Sequence, residues 1–174
     1  IDVRLASKGE KILALNGKEY ELDEKMCVIA DDTGVQSIGG IIGGELSGCS
    51  YDTRDIFLEC AYFDPVSTAK TGRKLQINSD ARFRFERGVD PAFLIKASEI
   101  ATQLIIDLCG GQASEIIESG NEPEWEQRLI LHPNRVKLLT GVEINEEQIT
   151  NILTNLGFMV EKHNSQFSVT VPSW

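Results

Sequence analysis

Two turn signals in the first 34 residues constrain this chain more than any other feature. Asn16-Gly17 separates the runs 11–15 and 18–22, and Asp31-Asp32-Thr33-Gly34 separates 27–30 from 35–38. Asn-Gly suits a two-residue hairpin loop, in which both residues take positive φ. Short runs that alternate around such turns predict antiparallel strands. Residues 56–63 (IFLECAYF) form a longer, mostly apolar run that predicts a further strand.

The pattern then changes period. Asp64-Pro65 and Asp90-Pro91 each place a capping acceptor before a proline at the first helical position. After the second, Leu94, Ala97, Ala101, Leu104, Ile105 and Leu108 repeat at helical spacing, with Gly110 as the stop. Residues 113–118 read as a closing strand. The stretch 119–127 (SGNEPEWEQ) reads as a linker. Beyond it come a strand at 128–131 and a short helix at 134–140 ended by Gly141. A second helix is opened by an Asn145/Gln148 capping box, and a hairpin at 158–161 and 167–171 follows. The expected class is α+β. A mixed or antiparallel sheet domain with flanking helices fills 1–120, and a small helix-rich, winged-helix-like module fills 121–174.

The net charge of −10 and pI near 4.7 argue against a free-standing, sequence-independent nucleic-acid binder, which is normally basic. No apolar run approaches the roughly 20 residues of a membrane span. The four cysteines make no C-x-x-C pair, and the two histidines lie at 132 and 163, so a structural zinc site is not expected. Cys27, Cys60 and Cys109 sit in apolar runs and read as small buried hydrophobes of a reducing compartment. No G-x-S-x-G elbow occurs, and the absence of histidine from the first 120 residues excludes a Ser-His-Asp triad there.

Three features invite a chemical reading. The run Gly39-Gly40-Ile41-Ile42-Gly43-Gly44 lacks a P-loop lysine and the dinucleotide spacing. It reads either as a structural turn or as the backbone wall of a pocket. Glu59 lies inside the apolar run 56–63, where alternation puts Phe57, Glu59 and Ala61 on one face. An inward carboxylate must be paired or hydrogen-bonded: either it bridges an arginine or it waits for a ligand hydroxyl. The segment 70–87 holds Lys70, Arg73, Lys74, Arg82, Arg84 and Arg87 against only Asp80 and Glu86. It is either a solvated face or a phosphate-facing patch.

Taken in order, VIADDTGVQSIGGIIGGELSG (28–48), FLECAYFDPVSTAKTGRKLQINSDARFRFERGVDP (57–91), LTGVEINEEQITNILTNLGF and the final VTVPSW resemble bacterial phenylalanyl-tRNA synthetase beta chains over nearly the whole sequence. The resemblance implies an interior segment, with part of the editing domain (third and fourth modules) over 1–120 and part of the fifth module over 121–174. It implies a cytoplasmic α2β2 heterotetramer with an alpha chain. That enzyme charges tRNA(Phe) with phenylalanine using ATP and magnesium, and its editing domain hydrolyses tyrosyl-tRNA(Phe). No metal or cofactor is expected within this segment.

The resemblance also implies site roles. Glu59 accepts the tyrosine hydroxyl, and Gly43 lines the pocket. Ala81 leaves room for the ring, and Ser79 stands where many members have threonine. Asn78 replaces a family histidine. Arg73, Lys74, Arg82 and Arg84 are the candidates to steer the tRNA end. No protein nucleophile or other catalytic side chain is assigned; an oriented water does the hydrolysis. The alternative is a scaffold or nucleic-acid-binding module without chemistry of its own.

Overall fold

A computed structural model describes residues 1–174 and divides them into two compact units, Ile1–Ile117 and Glu118–Trp174. The class is α+β, with every strand pair antiparallel.

In the first unit, β1 (Asp2–Leu5), β4 (Cys27–Asp31), β5 (Gly34–Ile38) and β6 (Ile42–Gly43) form one sheet in the order β1-β4-β5-β6. The β4–β5 hairpin is the one expected from Asp31–Gly34. Asp31 Oδ1 accepts the Thr33 hydroxyl at 2.6 Å and the Thr33 N–H at 2.8 Å, and these bonds hold its carboxyl below the ordinary range. The register skips Gln36 between the Ile29–Ser37 and Ala30–Val35 pairs, a bulge that bends the strand.

The other hairpin, β2 (Lys11–Leu13) with β3 (Glu19–Glu21), differs from its prediction. Gly17 is at φ 73°, but Asn16 is not in the left-handed region. The Gly17 N–H reaches the Ala14 carbonyl at 2.8 Å, and the Ala14 N–H reaches Lys18. The loop is therefore three residues long, a turn over Leu15-Asn16 closed by Gly17. The longer loop frees the Leu15 N–H for the Gly43 carbonyl at 3.0 Å, and the Glu45 N–H reaches the Leu13 carbonyl at 2.8 Å. This hairpin thus clamps the end of the glycine run.

Two expected strands are absent. Residues 56–63 and 113–118 carry no regular structure. Neither segment finds a ladder partner, so apolar content does not make it a strand. As a result, Phe57 is 72% exposed, and only Phe63, the last residue of the run, is buried.

Helix α1 (Pro65–Lys74) starts as predicted: Asp64 caps it, accepting the Ser67 N–H at 2.7 Å. α2 (Asp80–Phe85) is capped by Ser79. At the second Asp-Pro, Asp90 accepts the Ala92 N–H at 3.1 Å, but the chain makes a 3₁₀ turn (Pro91–Phe93) before α3 (Leu94–Cys109) begins. Leu94, Ala97, Ala101 and Ile105 of α3 are half-buried, while Leu104 and Leu108 are exposed. The core of this unit gathers Ala6, Ile12, Leu22, Met26, Val28, Ile38, Ile41 and Ile77. Ile77, from the turn between α1 and α2, is the helical layer's plug into the sheet. Gln76, at φ 54°, makes the sharp turn that aims it there.

The second unit has the sheet order β7-β9-β8, from β7 (Arg128–Leu131), β8 (Met159–His163) and β9 (Gln166–Thr170). α4 (Pro133–Thr140) stops at Gly141, φ 73°. α5 (Glu146–Asn155) carries the complete capping box: Asn145 Oδ1 accepts the Gln148 N–H at 2.8 Å, and Gln148 Oε1 accepts the Asn145 N–H at 3.1 Å. Ile149, Phe167 and Val169 form its core. No helix of the chain is long and apolar enough to cross a membrane. All four cysteines are free; Cys27 is half-buried, and Cys49, Cys60 and Cys109 are exposed, so burial of Cys60 and Cys109 is not seen. Both stand on segments whose apolar neighbours are themselves exposed.

Candidate functional site

The glycine run and α2 are joined by one hydroxyl. Ser79 Oγ donates to the Ile41 carbonyl at 2.5 Å and accepts the Arg82 N–H at 3.1 Å. The second bond is an N-cap, which suits serine because its short side chain folds back on the first turn. The first reaches 38 residues up the chain. Gly43 lies two residues after Ile41 and Ala81 two residues after Ser79, so each is close in sequence to this bond. Both are half-buried.

The glycines have separate jobs. A Cβ at Gly39 would lie 2.7 Å from the Phe63 ring, and Gly40, at φ 66°, lies under Phe63 and Phe85. Those two rings pack at 5.5 Å between centroids, tilted by 59°, over a backbone that has no side chains in the way. A Cβ at Gly44 would fall 2.7 Å from the Gln36 carbonyl oxygen. Close packing therefore accounts for Gly39, Gly40 and Gly44. Gly43 differs: a Cβ there would meet the Leu15 side chain at 3.1 Å.

Glu59 does not lie dry. Its side chain is exposed, and it makes neither an ion pair nor a side-chain hydrogen bond, so the arginine bridge is not seen. The unpaired backbone explains this, because successive residues of 56–60 all reach solvent. Yet surrounding protein pushes its carboxyl above the ordinary range. The carboxylate is thus accessible to solvent while nearby protein partly desolvates it. Cys27, at the start of β4, is its neighbour: burial first, then the charge of Glu59, push the thiol up.

The basic segment is less free than its composition suggests. Lys74 pairs with Asp23. Arg82 is mostly buried and bonds the Ile77 carbonyl and Glu86. Arg87 stacks over the Phe83 ring at 3.8 Å and bonds the Phe83 carbonyl. Arg84 Nη1 donates to the Asp80 carbonyl at 3.1 Å from an exposed position, and Arg73 is exposed on α1. Lys70, exposed on α1 and without an ion pair, joins Arg73 and Arg84 as the cations of this segment best placed to meet an outside anion. No group of three or more His, Cys, Asp or Glu side chains that could hold a metal ion occurs.

Sequence reasoning missed the Ile41 carbonyl, Gly72 and the Phe63–Phe85 pair. A backbone acceptor leaves no trace in residue identity. Gly72, inside a helix, did carry a signal, since glycine there usually marks a close approach.

Residues 1–110 match the B3/4 domain model, and residues 129–174 match the tRNA synthetase B5 domain. The chain belongs to the B3/4 domain family. Along its length it is similar to phenylalanine–tRNA ligase beta subunits. It is 53% identical to that of Paramagnetospirillum magneticum over all of this chain and 22% of the relative. It is 49% identical to that of Rhodopseudomonas palustris over 99% of this chain and 21% of the relative. It is 47% identical to that of Brucella suis over all of this chain and 22% of the relative. The chain thus spans about a fifth of the length of these curated relatives. The resemblance read from the motifs stands.

Proposed function

We propose that this chain is a segment of a phenylalanine–tRNA ligase beta subunit and carries much of the pocket that hydrolyses tyrosyl-tRNA(Phe). The observation that carries the reading is the Ser79–Ile41 bond, which joins the two motif segments bearing Ser79, Ala81 and Gly43. A pocket that merely tolerates phenylalanine discriminates weakly against one added hydroxyl, by about a hundredfold. A second pocket that requires the hydroxyl discriminates in the opposite sense. Glu59 supplies the acceptor. A tyrosyl ring reaching Glu59 displaces water from the carboxylate and replaces it with the phenol O–H. Phenylalanine would desolvate the same group and offer nothing in return.

Hydrolysis proceeds by attack of a water oxygen on the ester carbonyl carbon. The tetrahedral intermediate collapses with cleavage of the bond to the ribose oxygen. The proton from the water goes to that oxygen, releasing tyrosine and free tRNA. Backbone N–H groups of the pocket wall and a hydroxyl of the terminal ribose orient the water, so the protein's contribution is placement. The whole enzyme pairs with an alpha chain as an α2β2 heterotetramer in the cytoplasm. It charges tRNA(Phe) using ATP and magnesium, which belong to parts of the enzyme outside this segment. Arg73 and Arg84 steer the acceptor end of the tRNA.

The test is Glu59→Ala in the full-length heterotetramer. Clearance of tyrosyl-tRNA(Phe) should fall by about tenfold or more, with phenylalanine charging retained. Unchanged clearance would remove the assigned role. The exposure of Glu59 favours a second reading, in which the segment is a scaffold without chemistry. That reading predicts unchanged clearance together with loss of tRNA affinity in an Arg73→Glu/Arg84→Glu variant.

A further inference from the structure

Arg82 stands where three segments meet. Its stem lies over Gly72 in α1, and a Cβ at position 72 would collide with Arg82 Cδ and Nε. Its Nη1 donates to the Ile77 carbonyl at 2.6 Å, and its Nε donates to Glu86 Oε2 at 3.0 Å. Its backbone N–H donates to Ser79 Oγ, which donates onward to Ile41. Only 16% of the Arg82 side chain is exposed. Ile77 is itself anchored twice, by its side chain in the core and by its N–H on the Gly72 carbonyl at 3.0 Å.

We propose that Arg82 is a positioning residue. It locks α2 to α1 and to the core-anchored Ile77, and so sets where Ser79 and Ala81 lie against the Ile41–Gly43 backbone. Gly72 is the vacancy that admits it. The inference rests on the editing reading above.

The chemistry separates this role from a phosphate contact. A guanidinium bound to a carbonyl and a carboxylate has its charge offset locally and its donor fork in use. A carbonyl acceptor and a planar fork together require arginine, because an ammonium cannot reproduce both directions. The short helix α2 has no fully buried residue of its own; Phe85 on Phe63 and the Ser79–Ile41 bond hold it to the sheet side, and Arg82 is what ties it to α1.

The experiment uses the full-length enzyme with its partner subunit and two variants. Gly72→Ala leaves every charge in place but evicts the Arg82 stem. Arg82→Lys keeps the charge but loses the fork. In both, amide exchange over 79–86 should quicken. The rate constant for tyrosyl-tRNA clearance at saturation should fall by about tenfold to a hundredfold, as misplacement does. KM for tRNA and its salt dependence should stay as in the wild type. The proposal is overturned if Gly72→Ala behaves as wild type, or if the Arg82 variant instead raises KM and lowers the salt slope by about one. It is also overturned if exchange quickens in both variants while clearance is unchanged. A wild-type enzyme that leaves tyrosyl-tRNA intact would overturn the editing reading instead. The exchange data would then decide the Arg82 claim alone, and unchanged protection in both variants would sink it. If Gly72→Ala fails to fold, the same comparisons on Arg82→Lys decide the matter.

Discussion

The Ser79 hydroxyl donates to the Ile41 carbonyl and in the same geometry caps α2, so a single oxygen couples a helix start to a glycine-lined strand 38 residues away. Ser79→Ala removes both bonds and leaves the Ile41 carbonyl, on a buried residue, without this partner. The expected loss is about 1–2 kcal/mol, read as faster amide exchange across α2. Ser79→Thr keeps the hydroxyl and should restore most of the protection.

Glu10 accepts two bonds from the Arg4 guanidinium, at 2.7 and 3.0 Å, and one from the Ser7 N–H at 2.7 Å. The side-chain bond, then the backbone bond, pull its carboxyl from 4.5 down to about 2. A depressed carboxylate contributes stability that is complete above its unfolded value and drains away as pH falls through the folded one. The stability gap between wild type and Glu10→Gln should therefore be full above about pH 5 and close on acidification towards pH 2. Added salt should narrow it, because Arg4 reaches solvent. Denaturant midpoints across pH check both.

Glu59 has the opposite sign. Nearby protein partly desolvates this exposed carboxyl and raises it, so the charged form is less favourable in the folded chain. That cost is absent in acid, grows as pH rises through the unfolded value and is complete above the folded one. Glu59→Gln should leave thermal stability at pH 7 equal or higher, with the difference vanishing in acid. A clear loss of stability at pH 7 would mean that the carboxylate is structural.

In the second unit, Asn145→Ala breaks the capping box of α5. About 1 kcal/mol should be lost, seen as faster exchange within Glu146–Asn155, with the first unit unaffected.

Local chemistry was legible in the sequence; partnerships were not. The Asp64 and Asp90 caps, the Asp31–Gly34 hairpin, the Asn145/Gln148 box and the Gly141 stop all rest on bonds within a few residues, so the residues that make them stand together in the sequence. Asn16-Gly17 marks the turn but not its length, because the three-residue loop goes with bonds to Gly43 and Glu45 that lie far along the chain. Residues 56–63 look like a strand by composition, but a strand needs a neighbour, and composition does not supply one. The same gap hid the state of Glu59. Alternation within 56–63 predicts an enclosed face only if the segment is paired. Arg82 reads as a tRNA candidate because charge is visible in a sequence, whereas the Ile77 carbonyl and the space at Gly72 that hold it are not.

The central claim is that Glu59 recognises the tyrosine hydroxyl. A crystal structure of the full-length heterotetramer with bound tyrosine tests it most directly. The account predicts the phenol oxygen at hydrogen-bond distance from a Glu59 oxygen, about 2.5–3.0 Å, with the ring between the Gly43 backbone and Ala81. Tyrosine bound elsewhere in the editing domain, with the Glu59 carboxylate still in solvent, would contradict it.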